Sequence, residues 1–169
     1  MRGINPHGGL LVNGILTESA AQMLWQANHH RPQISLSFRQ LCDLELILNG
    51  GFSPLDRFMG KADYGSVLKE KRLANGVLFP LPVTLDLTEA QKQKLGSSPH
   101  LILTDQEGMP LALLELNEIW QPDKKAEALA IFGTLNEEHP RVHHLLHETG
   151  SFYVSCALSG FCLPKHYDF

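Results

Sequence analysis

The sequence of 169 residues predicts a mixed α+β fold. Apolar residues recur at helical spacing in several segments, most clearly between Ala20 and Ala27. The segments LILT and MPLALLELNEIW flank the turn-forming DQEG, which is the pattern of a β-hairpin. Strand and helix patterns do not alternate regularly along the chain, so a mixed domain is favoured over a doubly wound parallel sheet.

The first elements lie before residue 32. A short strand is predicted at Leu10–Val12, inside a turn-rich entry segment. Thr17 can cap a helix that runs to about Asn28. Pro32 ends this helical region, because the residue before a proline is disfavoured in the helical conformation.

The next helix is bounded by two local motifs. Ser37 and Gln40 form an S-x-x-Q capping box, and Asn49-Gly50-Gly51 supplies residues for a left-handed helix end.

The later elements are also predicted from caps and turn residues. They are, in chain order, a helix capped by Asp63 and running through Leu73, an edge strand at 77–87 limited by Pro80 and Pro82, a short polar helix at 88–95, the hairpin turning at Thr104–Gly108, a helix capped by Asp123 and ended by Gly133, a short helix with Pro140 first, and closing strands at 152–164.

Composition excludes several classes of protein. The net charge is −4 and the basic residues are scattered, so the chain lacks the basic patch of a nucleic-acid-binding protein. No apolar run approaches the roughly 20 residues that span a bilayer, and the N-terminus lacks the apolar core of a signal peptide. Three cysteines without a C-x-x-C pair favour a reduced, cytoplasmic protein. From the charge and the apolar runs we expect no nucleic-acid or membrane partner.

Two carboxylates in the segment LCDLELILNGGFSPLDRFM are candidates for acid/base chemistry. At about 100° per residue, Asp43 points away from the apolar face and lies beside Arg39, whereas Glu45 falls inside that face. The two groups therefore cannot flank one substrate bond. Asp43 is interpreted as a solvated charge. Glu45 is predicted to be a buried structural anchor, because a carboxylate on an apolar face needs a partner.

Histidines, glycines and cysteines give no recognisable active site. His143 and His147 are four residues apart, which is metal-ligand spacing, but His139, His144 and these two form no H-E-x-x-H motif. The simplest interpretation is that these are surface histidines without a bound metal, so no metal site is predicted. The glycine pairs do not extend to a phosphate-binding loop. Cys156 is interpreted as a buried, inert thiol.

The order of several motifs closely resembles the N-terminal domain of ATP sulfurylase, or sulfate adenylyltransferase. The form that it most resembles is the one fused to adenylylsulfate kinase. The resemblance covers nearly the whole chain. It rests on HGG followed by Leu10, the segment Arg39–Met59, DY at Asp63, LFPLPVTLDL at Leu78–Leu87, WQPDKKAEALAIFGT at Trp120–Thr134, HP at His139, and LPKHYDF at Leu163–Phe169.

This resemblance implies a PUA-like pseudo-barrel of short strands with appended helices, occupying residues 1–169 as one domain. It also implies an enzyme that converts ATP and sulfate to adenosine 5′-phosphosulfate and pyrophosphate with Mg²⁺. The family's catalytic segments, Q-x-R-N-P-x-H-x-x-H and an H-x-G-H-like segment, do not occur in this sequence. We therefore expect no catalytic, cofactor-binding or metal-binding residue here, a catalytic domain beyond Phe169, and no activity in isolation.

The resemblance carries over structural residues. Arg39 and Glu45 match the helix-and-turn signature, and His166, Tyr167 and Asp168 match the junction with the catalytic domain. Ser155-Cys156 departs from the Gly-Gly pair that family members often have, and a side chain there would alter local packing.

The expected partners are the catalytic domain in cis and, in a bifunctional form, an adenylylsulfate kinase domain. Two alternatives remain open. The chain could be a stand-alone PUA-like binding module for RNA or a small ligand, although the acidic balance disfavours RNA. It could also be an interaction scaffold, whose exposed apolar face would drive homo-oligomer formation.

Overall fold

A computed structural model of the protein describes residues 4–165. It contains five strands in one sheet, ordered β1-β3-β4-β5-β2, and helices between them, so the predicted α+β class is confirmed. The strands are β1 Gln33–Ser35, β2 Leu85–Leu87, β3 His100–Thr104, β4 Pro110–Trp120 and β5 Phe152–Gly160. The helices are α1 Glu18–Asn28, α2 Phe38–Leu48, α3 Lys61–Glu70, α4 Glu89–Leu95, α5 Lys124–Phe132 and α6 Pro140–His143, with a short 3₁₀ helix at His7–Gly9 and a π-helix at His144–Glu148.

Strand pairing in the sheet is mixed. β3 and β4 form the predicted antiparallel hairpin, in which Leu101 lies opposite Leu114. β1 is parallel to β3, and β2 is antiparallel to β5. The three apolar residues at the centre of β3, Leu101, Ile102 and Leu103, are fully buried. A continuous apolar run of this kind is typical of a strand that is covered on both faces.

The chain divides into two compact units. The first takes in the described parts of Met1–Phe58, Leu95–Asn117 and Cys156–Phe169, and its buried residues include Leu44, Ile47 and Leu48 of α2. The second takes in Met59–Lys94 and Glu118–Ser155. The expectation of one PUA-like domain over residues 1–169 stays a prediction.

The predicted helix boundaries of α2 and α5 are confirmed. Ser37 Oγ accepts a hydrogen bond from Gln40 N at 3.3 Å, and Ser37 N donates to Gln40 Oε1 at 2.9 Å, which completes the capping box. The Asp123 carboxylate accepts from two backbone amides at the start of α5. Gly133 ends α5 with a φ of 70°, a conformation that favours glycine.

Three predicted elements differ from the structure. Leu10–Val12 is not a strand, because Val12 N donates to Ser53 Oγ instead of to a neighbouring strand. The strand predicted at 77–87 is confined to β2, since Pro80 and Pro82 lack the N–H that a sheet ladder needs. The last difference is at Asp63, which does not cap α3.

The helix α3 begins at Lys61, three residues earlier than a cap at Asp63 predicts. Lys61 N donates to a carboxylate oxygen of Glu118 at 2.8 Å, so a distant side chain satisfies the first turn. Asp63 lies inside that turn and accepts a hydrogen bond from Ala74 N at 2.9 Å. The cap is therefore supplied by tertiary structure, which a local motif does not reveal.

Candidate functional site

Two of the segments that carry the family resemblance meet in the first unit. Pro54 lies so close to Gly8 that a Cβ at Gly8 would be 2.7 Å from Pro54 Cγ. Gly50 has a φ of 85°, and a Cβ there would collide with the carbonyl oxygen of Val12. The HGG segment and the LNGGFSP turn therefore form one packed junction.

A serine fixes this junction. Ser53 is buried, donates to the Gly50 carbonyl at 2.6 Å and accepts from Val12 N at 3.0 Å. The Ser53–Pro54 peptide bond is cis. Leu10 and Leu11, which follow HGG, are 64% and 66% exposed, and Leu46 beside the turn is 37% exposed. The junction thus combines a closely packed, hydrogen-bonded backbone with exposed apolar side chains.

The predicted acidic candidates on α2 have structural surroundings. Arg39 Nη1 lies 2.6 Å from Asp43 Oδ2, and the Asp43 side chain is only 18% exposed. Asp43 is therefore part of a partly covered ion pair, and its interpretation as a solvated charge was wrong. The i,i+4 spacing on the helix brings the two residues together.

Glu45 is not fully buried. It is half-exposed. Glu45 lies next to Phe38 on the apolar face of α2, and this part of the face is open, because Phe38 is 76% exposed. Its expected role as a structural anchor stays a prediction. His166, Tyr167 and Asp168, the other expected junction residues, lie outside the described residues.

A buried carboxylate does occur in the second unit, at Glu127 of α5. Glu127 is 6% exposed, and the hydroxyl groups of Tyr64 and Tyr153 each donate to its Oε2 at 2.9 Å. The rings of the two tyrosines meet edge to face at 5.6 Å, and Trp120 contacts both. Burial, followed by the charge of Glu127, raises the pKa of both tyrosines well above the ordinary value.

This aromatic and acidic cluster is structural in its chemistry. Glu127 accepts two strong hydrogen bonds, and the tyrosines are held as neutral donors. Trp120 Nε1 is buried and has no hydrogen-bond partner among the described residues. Raised tyrosine pKa values favour the protonated phenol, so these groups are poor bases at neutral pH.

Cys156 of β5 is fully buried. Burial raises the pKa of its thiol to about 12, which keeps it protonated and unreactive. Cys42 and Cys162 are half-buried and also unpaired. The structure thus places Cys156 in the core, as its interpretation as an inert thiol requires.

A cleft of about 340 Å³ lies in the first unit, between α1, Pro110 at the start of β4, and Phe161 just after β5. Trp25 and Phe161 form its aromatic wall, with ring centroids 6.1 Å apart. Among the described residues that line the cleft, Glu18 is the one that carries a charge. The cleft therefore has the size of a small ligand pocket but few polar groups to orient a ligand.

A known protein family matches this chain over most of its length. A sequence profile described as a PUA-like domain matches residues 4–161. The chain belongs to the PUA-like domain family. The expected PUA-like α+β fold is therefore confirmed.

The PUA-like domain is also similar to longer proteins named sulfate adenylyltransferase. It is 40% identical to the Kluyveromyces lactis protein over 98% of this chain and 33% of that protein. The Neurospora crassa protein is 43% identical over 97% of this chain and 29% of that protein. The PUA-like domain thus spans about a third of the length of these relatives, and the expected resemblance is confirmed.

A solved structure shares the fold of this PUA-like domain. The hexameric APS kinase from Thiobacillus denitrificans matches 98% of this chain and 28% of its own, with a TM-score of 0.73 and 28% identity. No helix within residues 4–165 of the PUA-like domain is long and apolar enough to cross a membrane.

Sequence reasoning missed Glu127 of the PUA-like domain. The signal was present, because Glu127 interrupts the apolar run of AEALAIF as Glu45 interrupts that of α2. The two differ in what covers them. Tyr64 and Tyr153 reach Glu127 from 63 and 26 residues away, a contact that the local pattern does not contain.

Proposed function

We propose that this chain is the N-terminal portion of a sulfate adenylyltransferase and acts as a scaffold for the catalytic part. The observation that carries the proposal is the match of nearly the whole chain, at about 40% identity, to proteins three times as long. The reaction proposed for the complete enzyme is the transfer of the adenylyl group of ATP to sulfate, which releases pyrophosphate and requires Mg²⁺.

The side chains of this chain support a scaffold over a catalyst. Adenylyl transfer needs positive and hydrogen-bonding groups aimed at the phosphates. In this chain Asp43 is paired with Arg39, and Glu127 holds two tyrosine hydroxyls. We therefore assign no residue of this chain to ATP or Mg²⁺, and no catalytic step to its side chains.

The junction of HGG with the LNGGFSP turn supports a docking role. Leu10, Leu11 and Leu46 are exposed beside a backbone that is closely packed at Gly50 and hydrogen-bonded by Ser53. An exposed apolar surface is suited to burial against another domain. The proposed occupant is the catalytic domain in cis. The proposal extends to an adenylylsulfate kinase domain and to self-association of the assembled enzyme.

A sulfate-dependent pyrophosphate-release assay on the isolated chain tests the proposal. The samples would contain ATP and Mg²⁺, with and without sulfate, and the Kluyveromyces lactis relative would serve as the positive control. We expect release by the isolated chain to equal the protein-free blank in both conditions. Pyrophosphate release that rises with sulfate and with the amount of chain would refute the scaffold role.

A further inference from the structure

Three exposed side chains form a cluster on the surface of the second unit. Glu137, His143 and His147 each offer one ligand atom, and these atoms all lie within 4.8 Å of one another. His147 Nε2 is 2.9 Å from Glu137 Oε2, and the rings of His143 and His147 lie 4.8 Å apart. The cluster therefore brings two imidazoles and one carboxylate to a common point.

The helical backbone under the cluster is anchored in the protein. Val142 and Leu145 are buried against Ala128 of α5. His143 and His147 lie on the other face of the same helical segment and are exposed to solvent. α6 passes directly into the π-helix, whose Thr149 N donates to His144 O at 3.2 Å. Single π-helical turns are rare and are frequently found at functional sites. Here the turn places His147 over His143.

The loop that carries Glu137 is also ordered by its own side chains. Asn136 N donates to Thr134 Oγ1 at 3.0 Å, and Glu138 N donates to Asn136 Oδ1 at 3.0 Å. The preceding helix end stacks Phe132 on His139, with ring centroids 5.3 Å apart. Glu137 is thus presented from a constrained loop, and only its own side-chain torsions need to change.

We propose that Glu137, His143 and His147 bind a divalent transition-metal ion of the Zn²⁺ class. Two imidazole nitrogens and a carboxylate oxygen form a ligand set that suits Zn²⁺, whereas Mg²⁺ and Ca²⁺ prefer oxygen ligands. Zinc–ligand bonds of about 2.1 Å place tetrahedral ligand atoms roughly 3.4 Å apart. The exposed side chains can close that gap by small rotations.

Binding changes the hydrogen bonding of His147. Coordination uses the lone pair of Nε2, so the ion replaces the hydrogen bond between Nε2 and Glu137 Oε2, and the single proton of the neutral imidazole then lies on Nδ1. Three protein ligands leave a fourth position for water. The ion would tie the loop of residues 134–139 to the helix of residues 140–148, independently of the proposed scaffold role.

His144 supplies a matched control. Its Nδ1 lies 2.9 Å from Glu148 Oε2, so this histidine makes a hydrogen bond that does not include the cluster. His143, His144 and His147 share one helical segment, but only His144 falls outside the cluster. Replacing His144 therefore removes an imidazole without removing a proposed ligand.

Isothermal titration calorimetry of the chelator-treated chain with ZnCl₂ tests the proposal, with MgCl₂ as the negative control. We expect one equivalent of Zn²⁺ to bind to the unsubstituted chain and to His144→Ala with the same affinity. Removing a residue that only hydrogen-bonds to a metal ligand typically lowers metal affinity by about 10- to 100-fold. Removing a ligand should cost at least as much, so His143→Ala and His147→Ala should each weaken binding by at least about tenfold. Glu137→Gln should also weaken it.

A second readout separates a defined site from loose surface binding. Co²⁺ added to the unsubstituted chain and to His144→Ala should give the visible absorption bands of a low-symmetry nitrogen and oxygen site, and His147→Ala should abolish them. The cluster is exposed, so these variants should retain the circular dichroism of the unsubstituted chain. Absence of Zn²⁺ binding would overturn the proposal, as would equal affinities in His144→Ala and His147→Ala.

Discussion

Two tyrosine hydroxyls hold the carboxylate of Glu127 in the second unit. At the scale of single residues, this contact is the clearest case of a polar group that the fold requires. A buried carboxylate without hydrogen bonds would be strongly unfavourable, and each hydroxyl would be unsatisfied if Glu127 were absent. The three groups therefore depend on one another.

Removal of this carboxylate should destabilise the protein. We expect Glu127→Ala to lower the free energy of unfolding by about 1–3 kcal/mol, because two buried hydroxyls lose their acceptor. Glu70→Ala is the matched control, since Glu70 is also a helical glutamate but is exposed. Urea denaturation followed by circular dichroism measures both. An equal loss in the two variants would contradict the structural role of Glu127.

The buried thiol of Cys156 should make stability fall in alkaline solution. Its pKa is raised to about 12, so the folded state keeps a proton that the unfolded state releases above about pH 8.5. The stabilising contribution is thus complete below pH 8.5 and is lost as the pH rises toward 12, by about 1.4 kcal/mol per pH unit.

Urea denaturation at pH 8.0, 8.5 and 9.0 tests this dependence below the pKa of about 10 at which tyrosines of the unfolded chain titrate. Cys156→Ala should reduce the decline, whereas Cys42→Ala, which replaces a half-buried thiol, should retain most of it. Identical pH profiles for Cys156→Ala and the unsubstituted chain would show that the thiol is not the source.

At the scale of elements, the best-predicted features were those specified by neighbouring residues. The capping box of α2 needs only Ser37 and Gln40, and the end of α5 needs only Gly133. The start of α3 depends on Glu118 from β4, and the course of Val12 depends on Ser53. Sequence patterns do not contain such distant partners, so these boundaries were mispredicted.

The candidate sites follow the same division. The ion pair of Arg39 and Asp43 lies within one helical turn, and their proximity was predictable from spacing. Glu127 and its tyrosines come from three separate elements, and Glu137 reaches His147 from a preceding loop. These contacts become visible only when the chain is folded.

The capping box of α2 should be energetically significant. We expect Ser37→Ala to lower the free energy of unfolding by about 1 kcal/mol, because Gln40 N loses its acceptor. Thr17→Ala is the control, since Thr17 occupies the same position of α1 without a side-chain capping hydrogen bond, and it should cost less than about 0.5 kcal/mol. Thermal denaturation compares the two. A larger loss for Thr17→Ala would contradict this account.

At the scale of the whole molecule, the buried polar groups stabilise structure while an apolar surface remains open. Glu127 and Cys156 are buried in the interior, whereas Leu10 and Leu11 are exposed beside the closely packed turn at Gly50. The relatives named sulfate adenylyltransferase are about three times as long as this chain. The proposed scaffold role predicts that the chain can replace the corresponding third of such a relative.

A chimera tests this central claim most directly. This chain would replace the matching segment of the Kluyveromyces lactis protein, and sulfate-dependent pyrophosphate release would be compared with that of the same protein lacking the segment. The account predicts activity in the chimera and its loss in the truncated protein. Full activity in the truncated protein, or an inactive chimera that folds, would contradict it.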